Sequence, residues 1–204
     1  MIEAGGFHFP SALDQDQLHK WLALATDVDK ALPHVQRRGI AVDGGAHVGL
    51  WSARLAQHFQ WVFAFEPVPE NFACLQRNVP QNVVTVNAAL GECEGMASFV
   101  MEKYSVSHHI HRGETDKQLF TAAVTHIDEF ELNEVGFLKL DVEGCELAAL
   151  AGAAKTIARH RPLLHIEVKH IDRAQLAEHM RAIHYKYLYT TKVDEVWIPQ
   201  EQPA

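Results

Sequence analysis

Runs of basic residues are missing: none is longer than Arg37-Arg38, and 18 Lys and Arg stand against 26 Asp and Glu, a formal net charge of −8. A phosphate backbone calls for a clustered Lys/Arg surface, so no nucleic-acid partner is expected. Long apolar runs are missing as well. Nothing approaches the roughly 18 to 20 residues that cross a bilayer, so no membrane partner is expected. The opening MIEAGGFHFP has no basic segment ahead of an apolar core. No secretory signal is read there, and the cytoplasm is the expected compartment. Cysteine is scarce: Cys74, Cys93 and Cys145 are odd in number and show no C-x-x-C spacing. Neither a disulfide framework nor a zinc site is therefore expected. Also absent is G-x-G-x-x-G, whose glycines and helix N-terminus accommodate the pyrophosphate of a dinucleotide.

What is present centres on the stretch from Gly39 to Pro67. Ile40-Ala41-Val42 is a short apolar run that ends on Asp43 and breaks into Gly44-Gly45-Ala46-His47-Val48-Gly49. Small residues let a backbone turn sharply and admit a ligand closely. Trp51, Leu55 and Phe59 then recur at helical spacing, and a second apolar run from Trp61 stops at Phe65-Glu66-Pro67. This predicts a βαβ unit with Glu66 placed to accept hydrogen bonds from the two hydroxyls of a ribose. An acid at position 43 would repel a phosphate but could bind the ammonium of a methionine moiety, directly or through water. The pattern Asp43-x-Gly45-x-x-x-Gly49 therefore suits S-adenosylmethionine better than NAD.

The length of 204 residues and 48% hydrophobic content fit one α/β domain over residues 1–204, able to bury about 70% of its unfolded surface. Residues 1–38 form its N-terminal helical segment. Two helices are expected over residues 11–36, one with Leu18, Trp21, Leu22 and Ala25 on its apolar face and Ser11 as a cap, the other with Val28, Leu32 and Val35. Pro69 suits a first helical turn, and Asn71 beside it is placed either to touch the ligand or to cap. A third strand, Val83 to Val86, ends at Asn87-Ala88, where an adenine edge would lie if Glu66 holds the ribose. Residues 96–125 break the alternation and predict a hairpin insertion whose long loop, Ser105 to Leu119, carries His108, His109 and His111. Asp128 and Glu131 resemble a capping box for a short helix.

A second informative stretch is Gly136 to Glu146, GFLKLDVEGCE, in which another strand ends in acids and a glycine before a helix marked by Leu147, Leu150, Ala151, Ala154 and Ile157. Beside the first strand it would form the crevice where open α/β sheets bind ligands, with Asp141 and Glu143 facing Asp43 and Glu66. Glu146 is read as a helix cap. A fifth strand, Pro162 to Val168, ends at Glu167 with His170 behind it, and Asp172 caps the next helix. Tyr185–Thr190 and Glu195–Ile198 are joined too tightly to be anything but antiparallel. Together these elements resemble the outline of the class I methyltransferase fold, which implies an α/β, Rossmann-like, mostly parallel sheet in the order 3-2-1-4-5-7-6 with strand 7 antiparallel and helices on both faces.

The segments AVDGGAHVGLWS, FEPVPENFACLQRNV, VNAALGECEG, THIDEF and FLKLDVEGCELAALAGA, in that order, resemble the FkbM-type methyltransferase family. Gly44 stands where that family usually has valine, and His47 where asparagine is frequent. The resemblance implies S-adenosylmethionine as cofactor and, for the most part, O-methylation of a sugar or another small-molecule hydroxyl as the reaction. Carried onto this sequence, the cofactor residues are Asp43, Gly45, Ala46, His47, Gly49, Glu66, Pro67, Asn71, Asn87, Ala88 and Asp141. Asp141 leads for catalysis. Glu143, Glu167, His108, His109 and His170 stand as alternatives for base or substrate orientation, since a neutral hydroxyl needs one. Asp141, Glu143 and Glu167 could gather oxygens for Mg²⁺, an option the sequence does not favour. The alternatives to this reading are an NAD(P)- or nucleotide-sugar-binding Rossmann enzyme and a non-catalytic module that binds S-adenosylmethionine. No oligomeric state follows from the sequence.

Overall fold

A computed structural model of the chain describes residues 1–10, 15–100 and 119–200. Its first element is an antiparallel pair, β1 (Ile2–Ala4) and β2 (Phe7–Phe9), turned through Gly5 and Gly6 at φ 58° and 80°. Strands of three residues are too short for alternation to show in a sequence, and this hairpin was not expected. Next come α1 (Gln15–Ala25) and α2 (Val28–Ala31), the latter tightening into a 3₁₀ turn at Leu32–His34. The expected second helix up to residue 36 is thus corrected to four residues and a turn. Pro33 lacks the N–H that a longer helix would use. Ser11, the expected cap, lies outside the described residues.

The main sheet is built from β3 (Ile40–Gly44), α3 (Leu50–Leu55), β4 (Trp61–Phe65), α4 (Pro69–Asn78) and β5 (Val83–Val86) on one side of the crossover. Between its two halves lie β6 (Ala89–Leu90), β7 (Gly95–Val100) and β8 (Leu119–Thr125). The other half comprises β9 (Val135–Leu140), α5 (Glu146–Ala151), α6 (Ala154–His160), β10 (Leu163–Glu167), α7 (Arg173–Ala182), β11 (Tyr185–Thr190) and β12 (Asp194–Pro199). Seven strands pair in the order β11-β12-β10-β9-β3-β4-β5, with β12 antiparallel to both neighbours and the rest parallel. Strand order reverses between β3 and β9, so their carboxyl ends frame the crevice typical of open α/β sheets.

Helices cover both faces, and the strands record this as unbroken burial in β9 and β10. Successive residues of β3 serve opposite faces. Ala41 packs with Val28, Ala31, Leu55 and Phe59 on the α2–α3 side. Val42 packs with Ala149, Leu150, Ile157, Leu176 and Met180 on the α5–α7 side. The expected hairpin is present as β7 and β8, antiparallel from Gly95–Val124 to Val100–Leu119, with β6 added parallel to β8. Asp128 is a correction. It sits in the 3₁₀ turn Ile127–Phe130, yet its carboxylate accepts from Lys155 N, Thr156 N and Thr156 Oγ1 at 2.7–2.8 Å, capping α6 and not its own turn. Asp172 does cap its own helix, accepting from Ala174 N at 2.9 Å. Among the described residues, no helix is long and apolar enough to cross a membrane.

Candidate active site

The crevice at the strand reversal opens as a cleft lined on one side by Gly45, Ala46, His47, Glu66, Pro67, Val68, Asn71 and Ala88, and on the other by Lys139, Asp141, Val142, Glu143 and Cys145. The glycine loop is fastened to its neighbour strand: Gly45 N and Ala46 N donate to Phe65 O at 3.0 and 2.9 Å. Gly45 has φ 74°, and a Cβ there would lie 1.8 Å from Asp141 O. Only glycine lets the loop from β3 lie against the loop from β9, and this contact sets the width of the cleft. Gly49 begins α3 and donates to Ala46 O at 2.8 Å.

Glu66 ends β4 and is 4% exposed. Its Oε2 accepts from His47 N at 2.8 Å, and its Oε1 from Val68 N at 2.9 Å and Asn71 Nδ2 at 3.3 Å. Burial raises its pKa to about 7 against those three donors and the nearby Lys139. Asn71 therefore supports the carboxylate, and no side-chain bond caps α4. The Asn87 side chain has a bracing part as well. Its amide donates to Glu66 O at 2.8 Å and Pro67 O at 3.3 Å, joining the two strand tips from outside the cleft, while Ala88 is the residue that lines it.

Asp43 requires the largest revision. It is fully buried and does not line the cleft. In the parallel register Asp43 lies opposite Lys139, which lies opposite His165, so all three project to one face of the sheet. Lys139 Nζ sits 3.2 Å from Asp43 Oδ1, and Ser52 Oγ donates to Asp43 Oδ2 at 2.6 Å. The same ammonium reaches Gly44 O and Gly45 O at 3.3 Å and Asp141 Oδ2 at 3.5 Å, and lies over the Trp51 ring at 5.6 Å. Burial opposes that charge, but Asp43 and Asp141 outweigh it and hold Lys139 protonated. Asp43, expected to meet a cofactor ammonium directly or through water, lies in a buried ion pair with Lys139 that braces the loop from below. His165, packed 4.9 Å from Trp51, is pushed down to about 3 by burial and by Lys139, and is neutral.

Across the cleft, Asp141 follows β9, donating its backbone N–H to Gly44 O at 3.1 Å. Burial raises its carboxyl pKa, Lys139 opposes the rise, and Asp194 and Asp43 add to it. Glu143 has φ 53° and lies 3.4 Å from His170 Nε2. Glu146, expected as a cap, accepts from Val142 N and Gly144 N at 3.1 Å and closes the loop after β9. Glu167, at the end of β10, does not line the cleft but brings a carboxylate oxygen within 4.8 Å of oxygens of Asp141 and Glu143. Burial raises Glu167 to about 8, with Asp141, Glu143 and Glu146 adding to the shift. His108 and His109 lie outside the described residues.

Several lining residues had no site role in the sequence reading. Trp21 of α1 packs edge-on to the His47 ring at 4.9 Å and lines the cleft with Leu50 and Trp51. Leu90 and Phe99 bring the β6–β8 sheet to the wall, where Phe99 stacks on Phe120 at 5.3 Å. Trp21 and Trp51 were visible only as members of apolar helix faces. Lys139 carried a signal, a lone cation inside an apolar strand run, whose meaning depends on the register with β3.

A model of the FkbM methyltransferase domain matches residues 43–190. An FkbM methyltransferase from Methylobacillus flagellatus superimposes with a TM-score of 0.60 at 23% identity, covering 79% of this chain and 43% of its own. The chain thus spans less than half the length of that protein. A candidate RNA methyltransferase from Pyrococcus horikoshii gives a TM-score of 0.53 at 9% identity over 88% of this chain and 84% of its own, a likeness of fold alone. No curated protein matches the sequence. With most of the chain inside the matched span, and with the α/β sheet that the similar structures share, this chain belongs to the FkbM methyltransferase family.

Proposed function

We propose that the chain transfers the methyl group of S-adenosylmethionine to a hydroxyl of a sugar or another small molecule. The observation that carries the reading is Glu66: a carboxylate at the tip of β4, lining the cleft and oriented by His47 N, Val68 N and Asn71 Nδ2. A carboxylate so placed suits the paired hydroxyls of a ribose. Ala88, Leu90 and Phe99 offer an apolar wall for the attached base. The methionine end then lies toward the Gly45–His47 loop and Asp141, with Lys139 and Asp43 beneath it.

Transfer proceeds by in-line displacement. The acceptor oxygen forms a bond to the methyl carbon while the carbon–sulfur bond breaks, and the electron pair returns to sulfur. Alignment of oxygen, carbon and sulfur supplies much of the acceleration. The hydroxyl proton passes to a carboxylate of the acid cluster, for which Asp141 is the leading group. Burial raises its pKa, the direction that makes a carboxylate a stronger base.

A screen of hydroxyl acceptors with methyl-labelled cofactor tests the reaction, and calorimetry with S-adenosylhomocysteine tests the cofactor. Asp141→Asn is expected to lower turnover by roughly a hundredfold or more, on the scale of a lost general base, while shifting the melting temperature little. An unchanged rate removes Asp141 from the mechanism. Stabilisation by NAD in place of S-adenosylhomocysteine would establish the dinucleotide alternative.

A further inference from the structure

We propose that Asp141, Glu143 and Glu167 form a binding site for a hard divalent cation of the Mg²⁺ class, on the β9–β10 side of the cleft. Each offers one carboxylate oxygen, and the three oxygens lie within 4.8 Å of one another. Oxygens bound to one cation lie about 3.0 Å apart when adjacent and about 4.2 Å when opposite for Mg²⁺, and about 3.4 and 4.8 Å for Ca²⁺, so the three side chains draw together on binding. An all-oxygen set selects Mg²⁺, Ca²⁺ or Mn²⁺ over softer metals.

A second observation separates this cluster from an ordinary acidic surface. Glu167 is 7% exposed, and its Oε2 is buried with no hydrogen-bond partner among the described residues. Other carboxylates in the region have donors on at least one oxygen, including Glu146, whose Oε1 accepts from Val142 N and Gly144 N while its Oε2 is buried without a partner. Glu66 has three, Asp43 has Ser52 and Lys139, and Asp194 accepts from Thr191 Oγ1 at 2.9 Å. Lys139 cannot neutralise the cluster, because it reaches only Asp141, at 3.5 Å, and is shared with Asp43 at 3.2 Å. A buried carboxylate without donors is strongly unfavourable, so burial favours a proton on Glu167 until a cation displaces it. The glutamate at the end of β10 therefore points at a ligand that supplies positive charge.

The site is reachable, since Asp141 and Glu143 line the cleft and the Asp141 side chain is 38% exposed. Three protein oxygens leave other coordination positions to water or a substrate oxygen. Use of the cation to hold the acceptor hydroxyl and lower its pKa rests on the methyl-transfer reading; the binding itself does not.

The test is thermal unfolding and calorimetry of the chelator-treated chain with Mg²⁺, Mn²⁺ or Ca²⁺ alone, against NaCl of equal ionic strength. The expected result is a rise in melting temperature of roughly 5 °C at a hundredfold excess over Kd. Glu167→Gln and Glu143→Gln should abolish the rise, and Glu94→Gln, an exposed site elsewhere, should keep it. Without cation, Glu167→Gln should melt no lower than the parent, because glutamine has the shape of the protonated acid that burial favours. A rise reproduced by NaCl, or one that survives in both glutamine variants, overturns the proposal, as does the lack of any rise. Binding of S-adenosylhomocysteine in chelator is measured alongside. Retained nucleoside binding without a cation effect sinks this site alone, and the reverse pattern sinks the methyl-transfer reading alone.

Discussion

At the tip of β4, Glu66 accepts hydrogen bonds from His47 N, Val68 N and Asn71 Nδ2, yet burial still raises its pKa to about 7. The folded chain without ligand prefers the protonated acid, so this group's contribution to stability is full below its ordinary value and is lost as pH rises through about 7. Ribose hydroxyls donate to the ionised form, so nucleoside affinity should move the other way. Calorimetry with S-adenosylhomocysteine is expected to show weakening of up to about tenfold per unit as pH falls below 7. Glu66→Gln should bind more weakly at pH 8 and lose that slope; a slope kept in the variant would assign it to another group. Beneath the loop, Lys139→Met strands the buried Asp43 charge. Denaturant unfolding should show a loss of about 3–5 kcal/mol, as when one partner of a buried ion pair is removed. Adding Asp43→Asn should recover part of it.

Two loops meet in this cleft, and Gly45 is where they touch. Gly45→Ala places a methyl on a backbone at φ 74° and within 1.8 Å of Asp141 O. The left-handed conformation alone costs about 1–2 kcal/mol, and displacement of the Asp141 carbonyl adds to it. Ligand affinity should fall further than stability does, because the shift spreads the two halves of the cleft apart; equal losses would mean that the loops do not act together. This contact also marks what the sequence could show. Short apolar runs ending in glycine or acid located β3, β4, β9 and β10, and helical spacing located the elements between them, because burial on both faces leaves that pattern in one dimension. Glu66 and Asp141 were legible as strand-tip acids for the same reason. The role of Asp43 was not, because its partner lies 96 residues away and meets it only through the β3–β9 register. Nor was the use of Asn87, since an amide at a strand tip looks alike whether it faces a ligand or a neighbouring carbonyl.

Over the whole molecule the charge is −8, and around the cleft the imbalance is local. Glu66, Asp141 and Glu143 line it, Asp43 and Glu167 lie just behind, and among the described residues Lys139 is the one Lys or Arg in the lining. S-adenosylmethionine carries a carboxylate, an ammonium and a sulfonium, a net charge of +1. S-adenosylhomocysteine has lost the sulfonium charge and is neutral. A negative field therefore favours the substrate form of the cofactor over its product, which helps the product leave. One unmatched acid about 6 Å away in a solvated cleft is worth about 0.7 kcal/mol, or roughly threefold in affinity. Salt weakens that preference as the screening length shrinks from about 30 Å at 0.01 M to about 3 Å at 1 M. Across that range the affinity for S-adenosylmethionine should fall severalfold more than that for S-adenosylhomocysteine, measured by calorimetry in chelator. Equal salt dependence of the two ligands would show that the field does not act on the sulfonium. Millimolar Mg²⁺ should shrink the difference in the parent chain and leave it intact in Glu167→Gln, because a cation held by Asp141, Glu143 and Glu167 offsets the field that the sulfonium feels.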